Sequence, residues 1–112
     1  MDSILTSIKK LLGIDETYEH FDGDIIIFIN SALMSLNQLG IGPSTGFTIS
    51  GKEDLWSDFI GIRKDLESVK TYVYLKTRLT FDPPQNSFLV EAIKNQLTEL
   101  EWRLNTQAEG GS

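Results

Sequence analysis

The chain has 112 residues and a formal net charge of −6, with 40% hydrophobic and 23% charged residues. This length supports one domain that buries its own core, and the composition is that of a globular rather than a disordered protein. The absence of cysteine excludes disulfides, thiolate nucleophiles and sulfur-ligated metal sites. Neither a membrane span nor a signal peptide is expected, because apolar runs are short and no basic region opens the chain.

The charges are distributed unevenly along the chain. Residues 1–24 hold six acids and two lysines, residues 84–112 hold four acids and two bases, and residues 25–83 hold six of each. A protein that grips nucleic acid needs clustered positive charge to displace counterions from phosphates. Strong independent DNA binding is therefore not expected, although an acidic surface can face DNA without holding it.

Two helices are predicted in the first 40 residues. The first is capped by Asp2 or Ser3, ends at Gly13 and carries an apolar stripe with helical spacing. That stripe consists of Ile4, Leu5, Ile8, Leu11 and Leu12. A second, longer helix begins near Asp22 or Asp24, whose carboxylates suit the free amides of a helix start. Its broad apolar surface predicts a central position or a contact with a neighbouring subunit.

The next segment, GIGPSTGFTISG at residues 40–51, has the glycine-rich composition of a loop. Within it, FTIS is compatible with a short strand or one arm of a small hairpin, although no strong partner strand is evident. Long loops inside compact domains are more often functional than idle. A small helix over about residues 53–60 is predicted to follow it.

The segment from residue 63 to residue 81 fits two patterns. With helical period, Leu66, Val69 and Tyr72 share one apolar face, whereas the later residues also alternate between apolar and polar as in a strand. We predict a helix, because the helical pattern is unbroken over the whole segment and nothing before it supplies a sheet to join.

The sequence FDPPQ separates this helix from a last one, which is capped by Asn86 or Ser87 and runs to about Asn105. The apolar seam of the last helix consists of Leu89, Ile93, Leu97, Leu100 and Leu104. The chain is therefore predicted to be all-α, a bundle of four or five helices with a glycine-rich loop or short hairpin between helices two and three. We expect a single domain over residues 1–106 and a flexible tail at 107–112.

No motif indicates catalysis or cofactor binding. His20, the single histidine, lies in the acidic segment YEHFDGD, which has ligand types that bind zinc or iron, but acids before a helix are better explained as helix-start residues. The acidic segment KEDLWSD lacks the ligand alternation of a calcium loop. There is no G-x-S-x-G elbow, P-loop or dinucleotide fingerprint. We therefore predict that the protein is not an enzyme and uses no metal or cofactor.

Five basic residues give the fourth segment a local excess of positive charge. They are Arg63, Lys64, Lys70, Lys76 and Arg78. The simpler interpretation is a solvated helix face with ion pairs along the helix. The alternative is that Arg63, Lys70 and Arg78 contact the acidic region of an identical neighbour, since opposite charges on different faces favour head-to-tail association.

The order of these features resembles a known protein family. The opening SIKKLLGI, the acidic connector and the stretch FDGDIIIFINSALMSLNQLGIG are similar to the start of the small head–tail connector, or head-completion, proteins of long-tailed bacteriophages. The later VKTYVYLKTRLTFDPP and the ending ELEWRL look still closer to members from phages and prophages of Gram-positive bacteria. The resemblance covers nearly the whole chain except the loop at 41–52.

This resemblance implies a helical adaptor that forms a ring of about a dozen subunits under the portal. The ring would extend the DNA channel without sequence-specific binding and offer a platform for the next neck or tail-completion protein. No turnover, cofactor or membrane contact is implied. The protein would be made in the host cytoplasm and reside in the virion neck, and its acidity suits a lumen that should repel phosphates.

The resemblance also suggests which surfaces make contacts. Leu100, Trp102 and Leu104 would project toward the portal, while the first half of the last helix stays in the core. Pro83 and Pro84 would form a stiff corner that fixes the angle of the last helix. The loop would line the lumen or contact the next neck protein. The loop residues concerned are Gly42, Pro43, Gly46 and Phe47.

The main alternative is a small helical DNA-binding or regulatory protein. It would read DNA with the last helix, where Lys94, Asn95 and Gln96 offer basic and amide groups. The glutamates of the same helix oppose phosphates, so the connector interpretation is preferred.

Overall fold

The computed structural model describes residues 3–61 and 66–110, and these ranges form five α-helices. The helices are α1 (Ile4–Leu12), α2 (Asp22–Gln38), α3 (Trp56–Ile60), α4 (Leu66–Phe81) and α5 (Ser87–Gly110). Within the described ranges the β pairing is limited to an isolated bridge between Ser3 and Leu55. The all-α prediction is confirmed, and the segment between α2 and α3 is an irregular loop rather than a hairpin. Helix α5 extends beyond its predicted end near Asn105.

Helix α4 lies at the centre of the fold and packs against α1, α2 and α5. Val69, Tyr72 and Val73 are fully buried with helical spacing, so the helix interpretation of this segment is correct. Helices α2 and α5 both pack on α4 but have few contacts with each other, and therefore flank it. The resulting domain is flattened, with dimensions of 40 × 35 × 20 Å.

The broad apolar surface of α2 divides into two faces. One face lies in the core, as predicted, and the other is open to solvent. The buried residues are Ile25, Ile29, Ala32, Leu33 and Leu36. Ile27 and Met34 are the large apolar residues on the open face. The central position predicted for α2 therefore accounts for its buried face but not for Ile27 and Met34.

The ends of α1 are closed as the sequence predicts. Ser3 Oγ accepts a 3.2 Å hydrogen bond from the backbone N–H of Thr6, and Gly13 adopts the left-handed conformation, φ 82°, that favours glycine. Leu11, predicted to lie in the apolar stripe, is exposed. Lys9 on the same helix is buried instead, because the fold surrounds its ammonium with acceptors.

Lys9 is a buried lysine with only 2% of its surface exposed. Its Nζ donates to the carbonyl oxygens of Glu16 at 3.1 Å and Tyr18 at 2.7 Å, and it lies 2.8 Å from Asp22 Oδ1. The contact with Asp22 is an ion pair without good hydrogen-bond geometry. Asp22, predicted to cap α2, is used for this pair, and α2 begins without a side-chain cap. Lys9 thus holds the segment between α1 and α2 in contact with both helices.

Candidate assembly surfaces

The apolar residues at the start of helix α5 are exposed, whereas those of its seam from Leu97 to Leu104 are buried. Phe88 is 86% exposed and Leu89 also faces solvent, whereas Leu100 and Leu104 are buried against the bundle. The expectation that the first half lies in the core while the end projects outward is therefore wrong. Among the three residues proposed to meet the portal, Trp102 is the accessible one, with 70% of its surface exposed.

A buried polar contact explains which half of α5 joins the core. The hydroxyl of Tyr72, which is fully buried on α4, donates a 2.6 Å hydrogen bond to Glu101 Oε2. Burial raises the pKa of Tyr72, and the Glu101 carboxylate raises it further, because both disfavour the phenolate. The contact anchors the second half of α5 on α4. Its partners are 29 residues apart, so no local sequence pattern indicated it.

Two of the three basic residues proposed to contact a neighbouring subunit, Lys70 and Arg78, lie near aromatic side chains of their own chain. Lys70 Nζ is 6.0 Å from the centroid of the Trp56 ring. Arg78 donates from Nη1 to the Tyr74 hydroxyl at 3.1 Å. Arg63 lies outside the described residues. A contact of this basic face with a second copy stays a prediction.

Two asparagines of α2 hold the backbone of the glycine-rich loop. Asn30 Nδ2 donates to the Ile49 carbonyl at 3.1 Å, and Asn30 Oδ1 accepts from the Ile49 N–H at 2.7 Å, as a neighbouring strand would. Asn37 Nδ2 donates to the Pro43 carbonyl at 2.6 Å. Neither residue was predicted from the sequence. The signal that identifies them is a pair of amides seven positions apart on one helix, followed by a loop whose backbone groups need partners.

The loop residues predicted to face the lumen or a partner differ in accessibility. Gly42, at φ 90°, lies so close to the Phe59 ring that a β-carbon would collide with it. Phe47 is half-buried and packs on Phe59 with ring centroids 5.3 Å apart. Pro43 is also half-buried, whereas Gly46 is exposed. The loop therefore presents Gly46 and its neighbours to solvent and uses the other predicted residues for packing.

Pro83 and Pro84 occupy the corner between α4 and α5, and both follow trans peptide bonds. Asn86 Oδ1 accepts a 2.8 Å hydrogen bond from a first-turn N–H of α5 and so caps that helix, as predicted. Phe81, the last residue of α4, packs against Phe21 with ring centroids 5.4 Å apart. The corner thus lies between a capped helix start and an aromatic contact with the beginning of α2.

The comparison with known protein families agrees with this architecture. Residues 4–111 match the family model described as phage connector protein. The chain belongs to the phage connector protein family. The connector is therefore a structural component of the phage neck and of the virion, and it associates with other head and tail proteins. No curated protein and no solved structure matches the chain. Its origin in a phage or prophage of Gram-positive bacteria stays a prediction.

The other sequence-based candidates lie on the surface of the connector. The exposed His20 ring packs on Phe21 with centroids 4.8 Å apart. In the part of the chain that the structure describes, no three His, Asp or Glu side chains are grouped to hold a metal ion. None of the helices in those ranges is both long and apolar enough to cross a membrane. Lys94, considered for DNA contact, lies 3.8 Å from Glu91 on its own helix.

Proposed function

We propose that the connector assembles as a closed ring of about a dozen subunits beneath the portal and joins the head to the next neck or tail-completion protein. The observation that carries this proposal is the match of nearly the whole chain to the phage connector family. The exposed aromatic residues of α5 support it. Phe88 and Trp102 add little to the core of one copy, and aromatic residues are enriched at protein interfaces.

In this ring DNA passes without being held. The net charge of −6 supports a lumen that repels phosphates. The exposed part of the loop, around Gly46, is proposed to face the lumen or the next neck protein. Trp102 is proposed to meet the portal, because it is a large, accessible aromatic side chain on a helix that is anchored at Tyr72.

Mixing the purified connector with the portal ring of the same phage or prophage tests this function. We expect a complex whose mass corresponds to one ring of connector subunits on each portal, with continuous density around an open channel in electron micrographs. A connector that stays monomeric at high concentration and never binds the portal would overturn the proposal. Salt-dependent binding to duplex DNA in a gel shift would favour the regulatory alternative instead.

A further inference from the structure

Helix α2 carries a seam on the side that faces away from the core. Ile27, Ser31, Met34 and Gln38 are all exposed and follow the spacing of 4, 3 and 4 that packed helices use. Ile27 is 64% exposed and Met34 is 61% exposed. The small Ser31 between them leaves a gap of the kind that a bulky side chain from another helix fills. These four residues are called the α2 outer seam.

The α2 outer seam and the loop after it lie in a stretch without charge, which begins directly after Asp24. No Asp, Glu, Lys, Arg or His occurs from residue 25 to residue 51, in a chain where 23% of residues are charged. Interface centres are depleted of charged residues, whereas solvated faces are rich in them. A partner that brought a charge to this surface would desolvate it without a counter-charge. The α2 outer seam therefore fits another uncharged helix face.

The first turns of helix α5 supply a seam of uncharged residues. One line of its exposed residues follows the spacing 4, 3 and 4, and it consists of Phe88, Ala92, Asn95 and Glu99. The members from Phe88 to Asn95 are uncharged. Glu99 is already paired with Arg103 of the same helix at 2.6 Å. These four residues are called the α5 outer seam.

The two seams face different directions. The buried residues of α2 and α5 both point toward α4, and the two helices have few contacts with each other. Because each seam points away from α4, the two do not meet within one copy. They can join one copy to the next in a head-to-tail arrangement, which closes into a ring when the rotation permits.

We propose that the α2 outer seam of one connector packs against the α5 outer seam of the next copy. This inference rests on the proposed ring and names its subunit contact. The stretches 27–38 and 88–99 are equally long, about 16 Å of helix each. One seam has a small residue between two large ones, and the other places the large Phe88 beside the small Ala92, so the two shapes are complementary. The large residues at its centre are apolar, and the contact does not use the basic face of α4.

Disulfide trapping tests this contact directly, because the chain has no cysteine. Met34→Cys and Ala92→Cys are made singly and together in the full chain, and their thermal unfolding is compared with that of the unchanged protein. Both positions are exposed, so the fold should be retained. Lys10→Cys with Lys52→Cys serves as the matched control, since both residues are exposed and lie outside the seams.

Under mild oxidation we expect the double variant to form a ladder of cross-linked species on a non-reducing gel. An equal mixture of the two single variants should stop at dimers, and neither single variant alone should cross-link. Dimers from Met34→Cys alone would show α2 pairing with itself and would overturn the proposal. An equal ladder from the control pair would overturn it as well, because the trapping would then be non-specific.

A second variant separates this contact from the ring itself. Met34→Glu should weaken self-association about tenfold or more without lowering the unfolding midpoint, and Lys10→Glu should leave association unchanged. Rings that form normally with Met34→Glu and give no cross-links through the seams would overturn this contact and leave the proposed function standing. A connector that neither associates, alone or on the portal, nor cross-links would overturn both.

Discussion

The Lys9 ammonium lies 2.8 Å from the Asp22 carboxylate at the junction of α1 and α2. The same ammonium binds two carbonyl oxygens of the segment between these helices. One buried side chain therefore contacts both helices and the segment between them. Such a contact is costly to break from one side, because the remaining carboxylate and carbonyl groups lose their partner.

Lys9→Met is expected to lower the free energy of unfolding by about 3 kcal/mol, since it leaves the largely buried Asp22 carboxylate unpaired. Urea denaturation followed by circular dichroism measures this loss. Lys10→Met is the matched control, because Lys10 is exposed, and its effect should stay within about 0.5 kcal/mol. Equal losses for the two variants would show that burial of the Lys9 ammonium is unimportant.

Tyr72→Phe removes the hydroxyl that binds Glu101 and leaves the ring in the core. We expect a loss of about 1–2 kcal/mol in unfolding free energy, because a buried hydrogen bond to a charged group is lost. Tyr18→Phe, at an exposed position, should have no measurable effect. If Tyr72→Phe were as stable as the unchanged protein, the bond would not anchor α5.

The same contact predicts a dependence of stability on pH. A free tyrosine ionises near pH 10, and the pKa of Tyr72 is raised in the folded connector, so the folded state holds this proton more tightly. Its contribution is complete below about pH 10 and is lost as the pH rises toward the folded pKa. Unfolding free energy should therefore fall more steeply above about pH 10 in the unchanged protein than in Tyr72→Phe. Parallel pH profiles would contradict this assignment.

Replacing both Pro83 and Pro84 by alanine should harm assembly more than folding. The prolines restrict the corner that aims α5, while the core contacts of α5 begin well after it. Thermal unfolding and binding to the portal ring measure the two effects separately. Gln85→Ala is the control within the same corner. Equal loss of folding and assembly, or loss of neither, would show that the corner does not act by setting the helix direction.

Trp102→Ala should weaken binding to the portal ring about tenfold or more, because an exposed tryptophan at an interface commonly dominates its binding energy. Its unfolding free energy should change by no more than about 0.5 kcal/mol, since the side chain is largely exposed. Lys94→Ala, on an exposed turn of the same helix, provides the comparison in a titration followed by calorimetry. Unchanged affinity for Trp102→Ala would place the portal contact elsewhere on the connector.

Local patterns were sufficient for much of this fold. The caps at Ser3 and Gly13 and the helical period of α4 depend on neighbouring residues and could be predicted. The burial of Lys9 could not be predicted, because its acceptors come together only when the segment between α1 and α2 folds. The prediction for α5 was wrong for a similar reason. It placed the start of the helix in the core and exposed Leu100 and Leu104, whereas the start is exposed and these two residues are buried. An apolar seam shows which face of a helix is buried, but the position of Tyr72 on another helix determines which half finds a partner.

The hydrogen bonds from Asn30 and Asn37 to the loop have a consequence for the thermodynamics of assembly. Because α2 holds the loop backbone at both ends, residues 41–49 already have their conformation in a single subunit. An irregular segment that becomes ordered only on binding loses conformational entropy at that step, and its affinity falls accordingly. The connector avoids this loss at a loop next to its uncharged helix face. Its surface is preorganised there, so the free energy of binding is not reduced by a cost of ordering the loop.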